Sequence, residues 1–324
     1  NSRKIWGTME IIRSINDMKA LDSSVVTVGN YDGIHLGHQD VLKHIISVGK
    51  KENIPSCLIT FDPNPAYVLS KSSKPMNLQD IDSKLAVLEK MGLDKVLVIP
   101  FTLDFSRMSA EDFSDNVIKK LFNPKLISVG ENHYFGFNKK GDLAFLTDFC
   151  HKNEIELHTP KIRMLNEKPI SSTLTRRLIY DGLLDQVPSL LGKFYGFNVS
   201  TEHGSNRGKS LNYPTANFIP LSKYQMIPEG GVYLSRVFID GEHYFGMTNI
   251  GYRPTFNEKK FVMEVHILSD KFSDLYDESF YIEFLQKIRN EKKFESKDYL
   301  IKQIEDDKEV CIKLIDSFKE KYEV

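Results

Sequence analysis

Cysteine is scarce in this chain. Cys57, Cys150 and Cys311 are all there are, an odd count with no C-x-x-C spacing. That argues against a disulfide framework and a zinc ribbon, and it fits a reducing compartment, so a cytoplasmic location is expected. Long apolar runs are missing too. Stretches such as Val96–Phe101 fall far short of the ~20 residues that cross a bilayer, so no membrane partner is expected. No apolar segment opens the chain, which argues against a secretory signal. Its first residue is Asn and a Met follows at position 9, marking residues 1–8 as a candidate non-native addition. Charge of one sign is also lacking. The 43 basic and 44 acidic residues leave a net charge of -1, so no global field recruits nucleic acid. The basic run Arg289–Lys293 is mixed with acids and reads as a solvated face. The dinucleotide fingerprint G-x-G-x-x-G does not occur, and neither internal repeats nor low-complexity segments are found.

What is present falls into two grammars, and 324 residues allow about two domains. Up to about Gln186, short apolar runs alternate with helical stretches. Val25–Val28, Ser56–Phe61, Lys95–Pro100 and Leu126–Val129 read as strands, Ile81–Met91 and Ala110–Phe122 as helices. Ser109 with Asp112 predicts a capping box, and Pro124 a stop. Such alternation predicts a parallel sheet covered on both faces, with ligands beyond the strand C-termini. From about Phe194 the pattern turns to β. Val232–Ile239 and His243–Met247 flank Asp240-Gly241, a strong hairpin signal. Val262–Leu268 and Phe280–Leu285 add strands, and Tyr299–Phe318 a closing helix, together predicting a small antiparallel barrel with a helix on it. The connection lies near Val187–Lys193, giving expected domains 9–186 and 187–324.

The densest chemical signal is Gly29–His38, G-N-Y-D-G-I-H-L-G-H. It joins a β-branched run to an amphipathic one (Val41, Leu42, Ile45, Ile46), so His35 and His38 fall in a strand-to-helix turn. There glycines let backbone approach a ligand, and a helix N-terminus favours anions. Two imidazoles aimed at one anionic point can stabilise charge on a phosphate in transfer. Gly29, Asp32 and Gly33 belong to the same turn. Ser171, Ser172 and Thr173 offer hydroxyls and free N–H groups at a helix start, with Arg176 as a charged fork. Read alone, that stretch is more readily a plain N-cap, and the phosphate reading is favoured only with His35 and His38 upstream in the same α/β half. Asp62 and Asn64, at the edge of the second strand, are candidates to meet a nucleotide or its metal. Val129–Gly136, which contains Asn132, offers backbone and aromatic contacts to an adenine or a second substrate. In the second half Gly204, Arg207, Gly208 and Lys209 form a glycine-and-base run suited to phosphates. Thr215 and Asn217, two apart on an extended segment, point the same way and are hard oxygen ligands of the kind Mg²⁺ accepts. Glu264 interrupts the apolar run Phe261–Leu268 and is either solvent-facing or a placed base.

Taken together, Gly29–His38, Thr60–Pro65, Phe105–Phe113, Val129–Gly136, Ile170–Arg176, Leu191–Tyr195, Gly208–Asn217, Gly230–Tyr233, Asn249–Phe256, Glu264–Leu268 and Asp274–Tyr276 resemble the bacterial bifunctional riboflavin kinase/FAD synthetase family, in order and spacing, over nearly the whole chain. The resemblance implies a Rossmann-like α/β nucleotidyltransferase domain followed by a riboflavin-kinase barrel. It also implies two reactions with ATP and Mg²⁺: phosphorylation of riboflavin to FMN, then adenylylation of FMN to FAD with release of pyrophosphate. By the same match, Glu264 is the general base of the kinase, and Thr215 and Asn217 position the metal and phosphates. Gly204, Arg207, Gly208 and Lys209 then form its phosphate loop. His35 and His38 stabilise the adenylyl transition state, while Ser171, Ser172, Thr173 and Arg176 hold the β- and γ-phosphates. This chain departs from the family pattern at Tyr31, Asn64, Asn132-His133, Leu174-Thr175, Asn212 and Asp277. Because the synthetase-side changes fall around the nucleotide and FMN pockets, a riboflavin kinase with a weakened adenylyltransferase domain is the alternative reading.

Overall fold

The computed structural model describes residues 8–69, 77–202, 213–254, 259–269 and 279–322. The chain divides into two units, Asn1–Ser172 and Thr173–Val324.

In the first unit the apolar runs are strands buried on both faces, which is why they do not alternate. Six parallel strands, β1 (Glu10–Ile12), β2 (Ser24–Val28), β3 (Ser56–Asp62), β4 (Lys95–Pro100), β5 (Pro124–Ser128) and β6 (Glu156–His158), lie in the order β1-β4-β3-β2-β5-β6. Sequence order reverses at β2, which has β3 on one side and β5 on the other. In a parallel sheet, a ligand crevice opens above such a point. Helix α1 (Leu36–Glu52) lays Val41, Leu42, Ile45 and Ile46 against one sheet face. The short α2 (Pro65–Leu69) follows β3, and α3 (Ile81–Met91) adds Leu85 and Leu88 to the same core. Asp80 caps α3 by accepting from the Ser83 amide at 2.8 Å, and Gly92 ends it at φ 86°.

The expected helix over Ala110–Phe122 is present but wound in two ways. After α4 (Ala110–Asp112) it continues to Phe122 as a π-helix, burying Phe113, Val117, Ile118 and Phe122 against the other sheet face. Intervals of four, one and four residues suit the wider π turn. Ser109 caps it as predicted, accepting from the Asp112 amide at 2.9 Å. A further helix, α5 (Leu143–Lys152), completes that layer. A two-stranded hairpin, β7 (Met164–Leu165) with β8 (Lys168–Pro169), precedes α6 (Ser172–Tyr180), in which the division between the units falls.

The second unit is a closed barrel in the order β10-β13-β12-β11-β14-β9, after a short α7 (Pro188–Leu191). Its strands are β9 (Tyr195–Glu202), β10 (Ala216–Pro220), β11 (Gly231–Ile239), β12 (Glu242–Pro254), β13 (Lys259–Ile267) and β14 (Ser279–Asn290). Tyr195, Phe197, Phe218, Tyr233 and Phe284 are fully buried, each such ring being worth roughly 1.5–3 kcal/mol of transfer energy. Buried Tyr195 keeps its hydroxyl satisfied by donating to the Met226 carbonyl and accepting from Gln225. Helix α8 (Lys297–Tyr322) packs Cys311, Ile315 and Phe318 against Phe194, Val232, Leu234 and Met247. Among the described residues no helix is long and apolar enough to cross a membrane.

Candidate active sites

The turn after β2 is strained. Tyr31, Gly33 and Ile34 have φ of 49°, 80° and 43°, and for a β-branched residue such as Ile34 that region is a genuine outlier. A set of hydrogen bonds holds it there. The Tyr31 and Thr27 hydroxyls share one at 2.6 Å. The Asn30 carbonyl accepts from Thr60 at 3.2 Å and from Lys84 Nζ at 2.7 Å. The buried Asp32 carboxylate accepts from the amides of Leu78 at 2.9 Å and Gln79 at 3.2 Å, so its reach is spent inside the protein. Its carbonyl accepts from Ser172 Oγ at 2.9 Å, and the Ile34 carbonyl from Gln39 at 3.1 Å.

Out of this turn the two imidazoles emerge stacked, His35 on His38, with centroids 3.6 Å apart. His35 caps α1, its Nδ1 accepting from the His38 amide at 3.2 Å. An accepting Nδ1 leaves the neutral ring's proton on Nε2. Burial pushes the His35 imidazolium down to about 4, and burial, the His35 charge and the Lys84 ammonium hold His38 well below the usual imidazole value. At neutral pH both rings are therefore neutral N–H donors, not fixed cations.

Gly29 opens onto a cleft of about 710 Å³ walled by Phe61, Phe101, Phe105, Phe113 and Phe135, with Asn132 on its rim. Phe101 meets Phe61 and Phe105 edge to face, at 5.6 and 5.8 Å. Asp62 and Asn64 do not join Asn132. They line a separate, small polar hollow with Asn30, Asp32, Gln79 and Lys84. Asn64 is engaged there, its amide donating to Asn77 at 3.3 Å and its oxygen accepting from the Ala66 amide at 3.0 Å. Ser171 and Ser172 stand on the first unit's side of the division, Thr173 and Arg176 on the second's.

On the barrel, Glu264 sits on the pleat opposite the buried Met263 and Val265. Register places it directly across from Asn217 on one side and Asn249 on the other, and residues opposite each other share a face. Thr215 Oγ1 donates to Glu264 at 3.2 Å and Asn249 Nδ2 at 3.4 Å. Thr215, Asn217 and Glu264 are thus brought together, and a hydroxyl, an amide and a carboxylate on one face form a donor set that a hard cation accepts. The strand start is pinned by His266 Nδ1, which donates to the Pro214 carbonyl at 2.8 Å. Gly204, Arg207, Gly208 and Lys209 lie outside the described residues, as do Asn212 and Asp277.

Two contributors, Asn249 and Lys84, carry no role in the sequence reading. For Lys84 a signal existed. It occupies an apolar-face position of α3, between Ile81 and Leu85, and a lysine placed there asks for a buried partner.

A parallel α/β unit with an imidazole turn at its reversal point, followed by a closed barrel carrying one carboxylate among a hydroxyl and amides, fits a two-module transferase of phosphorus-containing groups. Residues 17–174 match the FAD synthetase family and residues 191–315 the riboflavin kinase family. A bifunctional riboflavin kinase/FMN adenylyltransferase of Buchnera aphidicola is 33% identical over 94% of this chain and 98% of its own. The enzyme of the same description from Escherichia coli K12 is 32% identical over 91% and 95%. A crystal structure of a Streptococcus pneumoniae protein, described as a macrolide-efflux protein, aligns with TM-score 0.84 at 29% identity, over 94% of this chain and 99% of that one. The chain belongs to the bifunctional riboflavin kinase/FMN adenylyltransferase family. It phosphorylates riboflavin to FMN with ATP, and adenylylates FMN to FAD with release of pyrophosphate.

Proposed function

We propose that adenylylation is carried by residues 9–186 through His35 and His38, and phosphorylation by residues 187–324 through Glu264. In the first module the FMN phosphate attacks the α-phosphorus of ATP and the bond to pyrophosphate breaks. The neutral imidazoles donate N–H bonds to oxygens on which charge builds, a role that positioned donors fill without covalent chemistry. The phenylalanine-walled cleft, which Gly29 and Asn30 also line, takes the isoalloxazine ring. Ser171, Ser172, Thr173 and Arg176 grip the β- and γ-phosphates. In the second module Glu264 accepts the proton of riboflavin's 5′-hydroxyl as that oxygen attacks the γ-phosphorus, and ADP leaves. Thr215 and Asn217 would hold Mg²⁺, which neutralises phosphate charge when bound. Gly204, Arg207, Gly208 and Lys209 would supply this module's phosphate loop, as the family match implies. Three buried free thiols, Cys57, Cys150 and Cys311, support a cytoplasmic setting.

The stacked pair His35–His38 in its strained turn is the observation that carries the reading. Purified protein with riboflavin and Mg·ATP, its flavins resolved chromatographically, tests it. Glu264→Ala is expected to lose FMN formation by at least ~100-fold while FAD formation from added FMN is spared, and His38→Ala to show the mirror image. Loss of both activities in either variant would count against two separate sites. Wild-type protein that makes FMN but no FAD would leave the kinase alone.

A further inference from the structure

Lys84 is an unusual lysine. It lies on α3, its residue surface is only 5% exposed, and charged groups are almost never this buried without a specific partner. Its Nζ donates to the Asn30 carbonyl at 2.7 Å. Three carboxylates, Asp32, Asp62 and Asp80, support its charge, while burial pulls its proton affinity down. Asn30 stands one residue before Tyr31, the first of the positive-φ residues in the turn, and the Lys84 charge also reaches the His38 ring. One side chain thus reaches both the turn's backbone, at Asn30, and the electrostatics of His38, while lining the polar hollow rather than the phenylalanine-walled cleft.

We propose that Lys84 is a positioning residue of the adenylylation site, a buried ammonium that fastens the Asn30 carbonyl, holds the turn Gly29–Ile34 in its strained form and sets a positive potential on His38. The inference rests on the assignment of His35 and His38 to adenylyl transfer. Two consequences follow from its position. Tethering at Asn30 offsets part of the cost of Tyr31 and Ile34, so the rings are aimed before substrate arrives. A fixed cation behind a neutral imidazole strengthens its N–H as a donor toward phosphate oxygens as negative charge builds, and disfavours its imidazolium. The groups that set the charge state of His38 are the stacked His35 and Lys84, with Tyr31 packed on its ring, and Lys84 answers in turn to Asp32, Asp62 and Asp80.

The test uses the full chain with Lys84→Met, which keeps length and loses charge, and Lys84→Arg, which restores charge. FAD formation from FMN, riboflavin phosphorylation and the His38 titration by imidazole NMR are read in parallel. Lys84→Met is expected to lower kcat for adenylylation by about 100-fold with KM for FMN and ATP within about threefold. Riboflavin phosphorylation should be unchanged, and the His38 titration should move to higher pH. Lys84→Arg is expected to recover at least a tenth of the lost kcat. A folded Lys84→Met protein with wild-type adenylylation, or with lower kcat but an unmoved His38 titration, overturns the proposal. If Lys84→Met does not fold, Lys84→Gln takes its place: wild-type kcat for adenylylation overturns the proposal, and a large loss of kcat with riboflavin phosphorylation unchanged supports it. His38→Ala run beside these separates the two readings. Retained adenylylation there defeats the histidine assignment, whereas its loss alongside an indifferent Lys84→Met defeats only the role of Lys84.

Discussion

His35 and His38 have little affinity for protons because the fold takes both out of water and lays one on the other. That neutrality has a thermodynamic consequence with a definite sign. In the unfolded chain each imidazole binds a proton near pH 6.5, whereas folded His35 binds one near 4. Between those values the unfolded state holds more protons, so stability is fully present above pH 6.5 and drains as pH falls toward 4. His35 alone contributes on the order of 3 kcal/mol across that window, and His38 acts in the same direction. Urea unfolding followed by circular dichroism should show a lower midpoint at pH 5 than at pH 7.5, with His35→Asn flattening the difference. A midpoint that rises on acidification would refute the neutral pair. The motif itself was legible as residues, since two histidines after a β-branched run mark a strand-to-helix turn. Their charge state was not. It depends first on the depth to which the turn is buried and, for His38, also on the His35 charge and on Lys84, nearly fifty residues downstream. Asp32 illustrates the same limit. Beside two glycines it falls in a turn expected to meet the phosphates of ATP, yet its carboxylate accepts from the amides of Leu78 and Gln79.

Elements were readable where local signals agree. α3 occupies Ile81–Met91 because Asp80 caps it, Leu85 and Leu88 give it one apolar face and Gly92 releases it. The winding of 113–122 was not readable, since a handful of apolar positions fits an α-helix nearly as well as a π-helix. The edges β1 and β6, three residues each, carry too little pattern to separate from loop. The turn Asp240-Gly241 was readable because its chemistry is local. Both residues take positive φ, 50° and 84°, as the two-residue hairpin between β11 and β12 requires. A Cβ at Gly241 would meet nothing within 4 Å, so an alanine there suffers backbone strain alone. Gly241→Ala should therefore cost about 1–2 kcal/mol, and Gly241→Asn clearly less, because asparagine tolerates that conformation. Equilibrium unfolding of the two variants reads this directly. Equal stability of Gly241→Ala and wild type would mean that the hairpin adopts another turn.

At the scale of the molecule, each cluster of described side chains draws on one stretch of sequence. The imidazole turn, its tethers and the phenylalanine cleft come from residues up to Ser172, and the Glu264 cluster from Thr215 onward. On the proposed assignment FMN is the product of one cluster and the substrate of the other, and two separate sites predict that it is released between them. Equimolar Glu264→Ala and His38→Ala proteins, each expected to be blocked in one half-reaction, should together convert riboflavin to FAD. Free FMN would build up first and FAD follow after a lag. An FMN-sequestering apoprotein added to the mixture should suppress FAD while leaving riboflavin consumption intact. If the mixture makes no FAD although each variant still performs its remaining half-reaction, FMN must pass within a single chain, and the two clusters would have to be regarded as halves of one site. Released FMN is the expected result because, on the proposed assignment, the carboxylate acts at a hydroxyl and the imidazole pair at an α-phosphate, and the two make opposite demands on the flavin. The first must expose its ribityl end to a γ-phosphorus, the second must present the finished phosphate to an α-phosphorus, and one bound pose does not serve both.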